Sequence, residues 1–236
     1  MQLLLLRLFL MEEEARKVRS TTILCVRRKN DTVIASDGQV TMGSMVAKGT
    51  ACKIRKFKKG KVITGFAGSV ADCMTLLDRL EKKLEKYDEL DRACYELAKE
   101  WRTDKYIRNL EASIIITDGR KILSLSGDGN VLEPENQNMA SVGSGSVFAL
   151  SAARALYENT NLSAEEIVKK AMGIAGDMCI YTNHCLSLEK IAVKESGKDA
   201  NENNSVDKRA KSKKIEKAKK TKNGSNGKNK ISKIGK

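Results

Sequence analysis

Between residues 21 and 193, strand signals arrive in consecutive hairpins and helix signals in consecutive pairs. A doubly wound parallel sheet does not produce that order. Thr21–Arg28 and Thr32–Ser36 are β-rich runs joined at Lys29-Asn30-Asp31, and Lys53–Phe57 and Lys61–Phe66 form a second pair around Lys58-Lys59-Gly60. Val70, Met74, Leu77, Leu80 and Leu84 recur at three- and four-residue spacings and predict a helix with that apolar face. Leu90, Ala93, Cys94, Leu97 and Trp101 predict a second. Strand signals return at Ser113–Thr117, Lys121–Ser126, Val131-Leu132 and Met139–Val142. A third helix is predicted over Val147–Tyr157. A fourth, opened by Ser163 with Glu166 three positions on as a capping box, is predicted to reach Tyr181, before a last strand at Leu186–Val193. The expected fold is α+β: two stacked antiparallel sheets with a helix pair on each outer face.

The flanks differ from this core. Residues 1–20 carry a short apolar run broken by Arg7, then Glu12 to Glu14 and a basic stretch. This pattern lacks a secretory cleavage site and is too acidic for a typical transit peptide, so it is read as a leader or propeptide with a possible targeting role. From residue 196 the chain is Lys, Asn, Ser and Gly with almost no apolar residues, and it is expected to be disordered. The formal charge of +14 is concentrated there: residues 196–236 hold 14 basic and 4 acidic residues, leaving 30 against 26 in the rest. The tail has one arginine and no aromatic residue, which argues against a nucleic-acid-binding arm. No apolar run approaches the roughly 18–20 residues of a bilayer span, so no membrane association is expected. The six cysteines form no CxxC pair and read as reduced, mostly buried thiols of an intracellular protein.

Only one histidine, His184, is present, which excludes most Ser-His-Asp and Cys-His machinery unless it is itself the base. Cys179, His184 and Cys185 have metal-ligating atoms but not the spacing of a zinc site. Gly143-Ser144-Gly145-Ser146 could cradle an anion but lacks the GK[ST] ending of a nucleotide-binding loop. A chemistry that needs no histidine is that of an amino-terminal threonine, whose freed α-amine takes the hydroxyl proton. The reference pKa of such an amine, about 7.7–8.0, already lies near working pH, and a neighbouring ammonium lowers it further. Ser20-Thr21-Thr22, after a compositionally distinct leader and before a strand, has the form such a site would take, although Thr-Thr at a strand start also fits simple β-propensity.

Several longer motifs are distinctive. They are Thr21-Thr22-Ile23-Leu24, Val26-Arg27-Arg28, Asp37-Gly38-Gln39-Val40-Thr41-Met42-Gly43, Gly65-Phe66-Ala67-Gly68, the run from Glu96 to Asp104, Gly127-Asp128-Gly129-Asn130-Val131, Pro134-Glu135-Asn136 and Ile180-Tyr181-Thr182-Asn183-His184. From about Thr21 to Ile191 the chain resembles the peptidase subunits of the two-component ATP-dependent protease HslUV. The resemblance implies a threonine peptidase with the four-layer αββα fold of N-terminal nucleophile hydrolases. It also implies a dodecamer of two stacked hexameric rings, and a hexameric AAA+ ATPase partner that delivers unfolded proteins. No nucleotide is expected on this subunit.

By the same resemblance Thr21 is the nucleophile, Lys53 tunes its amine, Asp37 orients Lys53, the Gly65 amide donates to the oxyanion, and Ser144 hydrogen-bonds near the terminal amine. The carbonyls of Gly176, Cys179 and Thr182 match a monovalent-cation site, usually sodium. The chain departs from the family pattern in the residues before Thr21, in the tail, and in Ser36 and Cys52, which stand where glycine and lysine are expected. Leader and tail together suggest a eukaryotic relative and a mitochondrial matrix location, or the cytoplasm otherwise. The competing reading is a catalytically silent ring scaffold that keeps residues 1–20 attached.

Overall fold

The computed structural model describes residues 18–19, 21–105, 110–126, 129–135 and 137–193. The expectation of a disordered tail, and most of the leader reading, therefore fall outside the described residues. In chain order the elements begin with β1 (Val18–Arg19), β2 (Thr22–Arg28), β3 (Asp31–Ser36), β4 (Val40–Met42), β5 (Met45–Lys48), β6 (Ile54–Phe57) and β7 (Val62–Gly68). Helices α1 (Val70–Lys86) and α2 (Leu90–Thr103) follow, then strands β8 (Ala112–Thr117), β9 (Ile122–Leu125), β10 (Val131–Leu132) and β11 (Met139–Gly143). The chain continues through α3 (Ser146–Asn159) and α4 (Ala164–Met178) to β12 (Ser187–Ala192). Among the described residues no helix is long and apolar enough to cross a membrane.

Two antiparallel sheets carry the fold, one ordered β10-β9-β8-β7-β6 and the other β11-β2-β3-β12. Strands β2, β3, β7, β8 and β9 alternate between two apolar environments. Ile23, Cys25 and Ile34 meet Ile54, Ile63, Ala67, Ile115 and Ile122 between the sheets. Their neighbours Leu24, Val26, Val33 and Ala35 turn outward onto α3 and α4. Val62, Phe66, Ile114, Ile116, Leu123 and Leu125 likewise turn onto α1 and α2. Period-two alternation of β-branched and aliphatic residues with both faces apolar produces a four-layer αββα sandwich, as the order of elements predicts. At roughly 1.5–3 kcal/mol for each fully buried large aliphatic side chain, these three clusters supply the main drive to fold.

Three features differ from expectation. Helix α1 buries Cys73, Leu76, Leu77, Leu80 and Leu84, whereas Val70 is half exposed at its first turn, because the buried stripe starts one turn further in. Helix α4 has its capping box but stops at Met178 rather than near Tyr181: Cys179 is extended, its amide still bonding Ala175 O, and a turn from Thr182 N to Cys179 O follows. A small third sheet, β1-β4-β5, has no counterpart in the expected elements, because Val40–Met42 and Met45–Lys48 are short and β5 is exposed throughout. Of the six thiols, Cys52 and Cys185 are exposed and Cys25, Cys73, Cys94 and Cys179 are buried. Burial pushes the Cys73 and Cys94 thiols up to about 12, with nearby carboxylates adding to the effect.

Candidate active site

Thr21 stands at the head of β2, between β3 and β11. The amide of Ser144 donates to Thr21 O at 2.8 Å, extending the β2–β11 ladder by one residue beyond the Gly143–Thr22 pair. Gly143 has φ +96°, and a Cβ there would lie 2.0 Å from Thr21 O, so only glycine permits this approach. The amide of Gly145 donates to Thr22 Oγ1 at 3.0 Å, and Thr22 Oγ1 is 2.7 Å from Thr182 Oγ1. The Gly143–Ser146 turn is therefore not an open anion cradle: two of its amides hold the Thr21-Thr22 segment. Ser144 meets Thr21 through its backbone, and its residue is exposed.

Beside this segment lies a buried ion pair. Lys53 Nζ is 3.0 Å from Asp37 Oδ1, and both side chains are buried. A second of the three Lys53 donors goes to Gln39 O at 2.5 Å. The same Asp37 Oδ1 accepts from Thr22 N at 2.7 Å, while Oδ2 accepts from Gln39 N at 2.9 Å and Asn183 N at 3.4 Å. One carboxylate thus ties the lysine to the backbone immediately after Thr21. Burial holds the Lys53 ammonium below the usual lysine value, with Asp37 opposing that shift.

Thr21 and Lys53 also line one cavity of about 90 Å³, together with Val40, Ala51, Cys52, Phe66, Gly68, Val70, Cys73 and Met74. Its walls are mostly apolar. Gly65 packs behind this floor in β7: a Cβ there would come within 2.5 Å of Ile23 Cγ2, so the two sheets touch at that point. The Phe66 amide donates to Lys53 O on the β6 side, so the Gly65 amide faces Ile115 in β8, and the oxyanion role expected of Gly65 does not fit its place mid-strand.

The residues expected to hold a cation sit directly behind Thr22. Thr182 and Cys179 are buried, and Gly176 lies in the last turn of α4. Cys179 O receives the amide of Thr182, whereas among the described residues no hydrogen bond reaches the carbonyls of Gly176 or Thr182. Oxygen atoms left without donors at the negative end of a helix suit a hard monovalent cation, so the donor set fits the expected group. His184 takes no part in the Thr21 site: its ring covers Gly176, and Nε2 lies 3.3 Å from Asp177 Oδ1. Gln39 and Asn183 escaped sequence reasoning as site residues, although both lie inside the distinctive motifs. Gln39 contributes its backbone carbonyl and amide to Lys53 and Asp37, and Asn183 its amide to Asp37, contributions that residue type does not reveal.

The φ of Thr21 is +150°, a region non-glycine residues rarely occupy, at a cost on the order of 1–3 kcal/mol. This torsion is measured from the carbonyl carbon of the preceding residue, so a chain that began at Thr21 would not have it.

A fold of two stacked sheets between helix pairs, with a threonine at a strand head beside a buried lysine–carboxylate pair, defines a class. The proteasome subunit family model matches residues 18–191, and the chain belongs to that family. Within it the likeness is to the HslV type of proteasome-like peptidase. The structure of eukaryotic HslV from Trypanosoma brucei is 44% identical with a TM-score of 0.70, covering 73% of this chain and 99% of that one. A Thiobacillus denitrificans BPH structure in complex with epoxomicin is 21% identical with a TM-score of 0.60, covering 74% of this chain and 100% of that one. A second structure of the same protein is 20% identical with the same TM-score, covering 73% and 98%. At that identity these two share the fold alone.

Proposed function

We propose that this chain is the threonine endopeptidase subunit of a two-component ATP-dependent protease, active once Thr21 is its first residue. The observation that carries this reading is the convergence of Thr22 N and Lys53 Nζ on Asp37 Oδ1. It sets an ammonium in the cavity that Thr21 lines. There the positive charge disfavours protonation of the freed α-amine and keeps it available as a base near neutral pH. The amine takes the Thr21 hydroxyl proton as Oγ attacks the peptide carbonyl, and the protonated amine returns its proton to the leaving nitrogen. Water, activated by the same amine, then hydrolyses the acyl-enzyme and restores the threonine. Ser144 holds Thr21 in register from β11.

The cavity beside Thr21 suits an apolar side chain of modest size next to the cleaved bond. An extended substrate would lie along β4, the strand edge on which Val18–Arg19 now pair with Met42 and Thr41. Val18–Arg19 therefore occupy the substrate's place, next to the strained nucleophile. The carbonyls of Gly176, Cys179 and Thr182 would hold a monovalent cation, which would supply positive charge to fix the turn supporting Thr22. Assembly into two stacked hexameric rings, and delivery of unfolded chains by an AAA+ ATPase, complete the proposal.

The test compares a chain starting at Thr21 with one in which residues 1–20 cannot be removed, both assayed on a small apolar peptide with the ATPase present. Hydrolysis by the first and none by the second is expected. Equal hydrolysis by both would refute the amine as base.

A further inference from the structure

Asn183 lies on the segment between α4 and β12, and its side chain joins three separate stretches of chain. Its Oδ1 accepts from Gly38 N at 3.0 Å and from Cys185 N at 3.1 Å, and its Nδ2 donates to Gly49 O at 2.9 Å. Its own amide reaches Asp37 Oδ2 at 3.4 Å. Gly38 follows Asp37 directly, and Gly49 leads through Ala51 into Lys53. The two glycine stretches are in backbone contact: Ala51 N donates to Gly38 O at 2.8 Å, and a Cβ on Gly38 would lie 2.4 Å from Gly49 O. An amide side chain is the neutral group that can accept from one strand while donating to the other.

We infer that Asn183 is a positioning residue, one that fixes the separation of Asp37 and Lys53 and so the place of the ammonium beside residue 21. The inference rests on the reading of Thr21 as nucleophile. Asn183 does not line the cavity at Thr21, so it acts on the reaction through the pair it holds and not by touching substrate. The segment it belongs to is anchored to the same network a second time, through Gln39 Nε2 donating to Ile180 O at 2.8 Å. Loosening the staple lets the Gly49–Lys53 stretch drift from Asp37. The ammonium then depresses the Thr21 amine less, the amine's apparent pKa rises, and the acidic limb of the activity profile moves to higher pH. The titratable groups around residue 21 are Lys53, Asp37 and the thiols of Cys52 and Cys73, and none of these is altered by changing Asn183.

The experiment measures peptide hydrolysis against pH for the mature chain with its ATPase, as wild type, Asn183→Ala and Asn183→Ser. Serine keeps a polar group but is too short to span both Gly38 and Gly49. Both variants are expected to lose about 10- to 100-fold in kcat with KM changed less than about twofold, since misplacement of a catalytic group by about 1 Å costs on this scale. Their acidic limb should move upward by at least about half a pH unit. Simple loss of folded protein would lower kcat without moving that limb. Wild-type kcat and limb in both variants would overturn the inference, as would loss of kcat with the limb unmoved. If Asn183→Ala does not fold, Asn183→Ser decides. An inactive wild type, or an active Thr21→Ala control, would instead count against the proposed function.

Discussion

Replacing Thr21 with alanine is expected to reduce peptide hydrolysis by at least about 10⁴-fold while leaving the fold intact. The hydroxyl is the only group in the proposed reaction that bonds to the substrate carbonyl, and removal of a covalent nucleophile elsewhere produces losses of this size or larger. The structural cost is small. The bonds that place residue 21 run through its carbonyl, which accepts from Ser144 N, and through Thr22, whose amide and hydroxyl are both engaged. None of them involves the Thr21 side chain. The thermal midpoint of the variant should therefore lie close to that of the wild type, and the two measurements together separate lost chemistry from lost structure. A variant that retained a tenth of the wild-type rate would show that another group attacks.

Asp37→Asn has the second largest expected effect, and it acts on stability and activity together. Four donors converge on the Asp37 carboxylate: Thr22 N and Lys53 Nζ on one oxygen, Gln39 N and Asn183 N on the other. An amide offers one acceptor oxygen and one NH₂ group, so whichever way it is turned, a donor faces a donor. Lys53 remains buried with Gln39 O as its acceptor in place of an ion pair. Leaving one member of a buried pair uncompensated costs about 3–5 kcal/mol, and denaturant unfolding at fixed protein concentration would read this directly. Activity should fall by about 10²- to 10⁴-fold, the range associated with losing the control of a general base. Burial already lowers the Lys53 pKa and Asp37 opposes that shift, so the substitution lowers it further. The ammonium then persists over a narrower pH range. Unchanged stability would mean that the pair is not closed in solution.

The sequence makes the sandwich legible because its informative signals are local. Hairpin turns at Lys29–Asp31 and Asp118–Gly119 and the stripe from Leu90 to Trp101 depend on residues close in the chain. The capping box at Ser163 does too, and its bonds to Glu166 form as the pattern implies. The β4–β5 hairpin is not legible, since three- and four-residue strands with exposed Met45 and Val46 carry no alternation. The end of α4 is misread for a related reason. Ile180 and Tyr181 are good helix residues by type, yet the bonds of Gln39 to Ile180 O and of Thr22 to Thr182 hold that segment out of the helix. At the site, Asp37 and Lys53 can be named from the family resemblance that their motifs carry, and the structure brings them within 3.0 Å. Gln39 and Asn183 are invisible at that stage because their part is played by a carbonyl, an amide and a side chain whose partners, Gly38 and Gly49, lie more than a hundred residues away.

The central claim is that the working base is the nitrogen of residue 21 itself. Its most direct test is the intact mass of the subunit in particles isolated from their own cells and shown to hydrolyse peptide. A mass corresponding to a chain that begins at Thr21 is the result this account predicts. An active particle whose subunits still carry residues preceding Thr21 would contradict it, because that nitrogen would then be an amide whose lone pair is delocalised into the carbonyl and does not accept a proton.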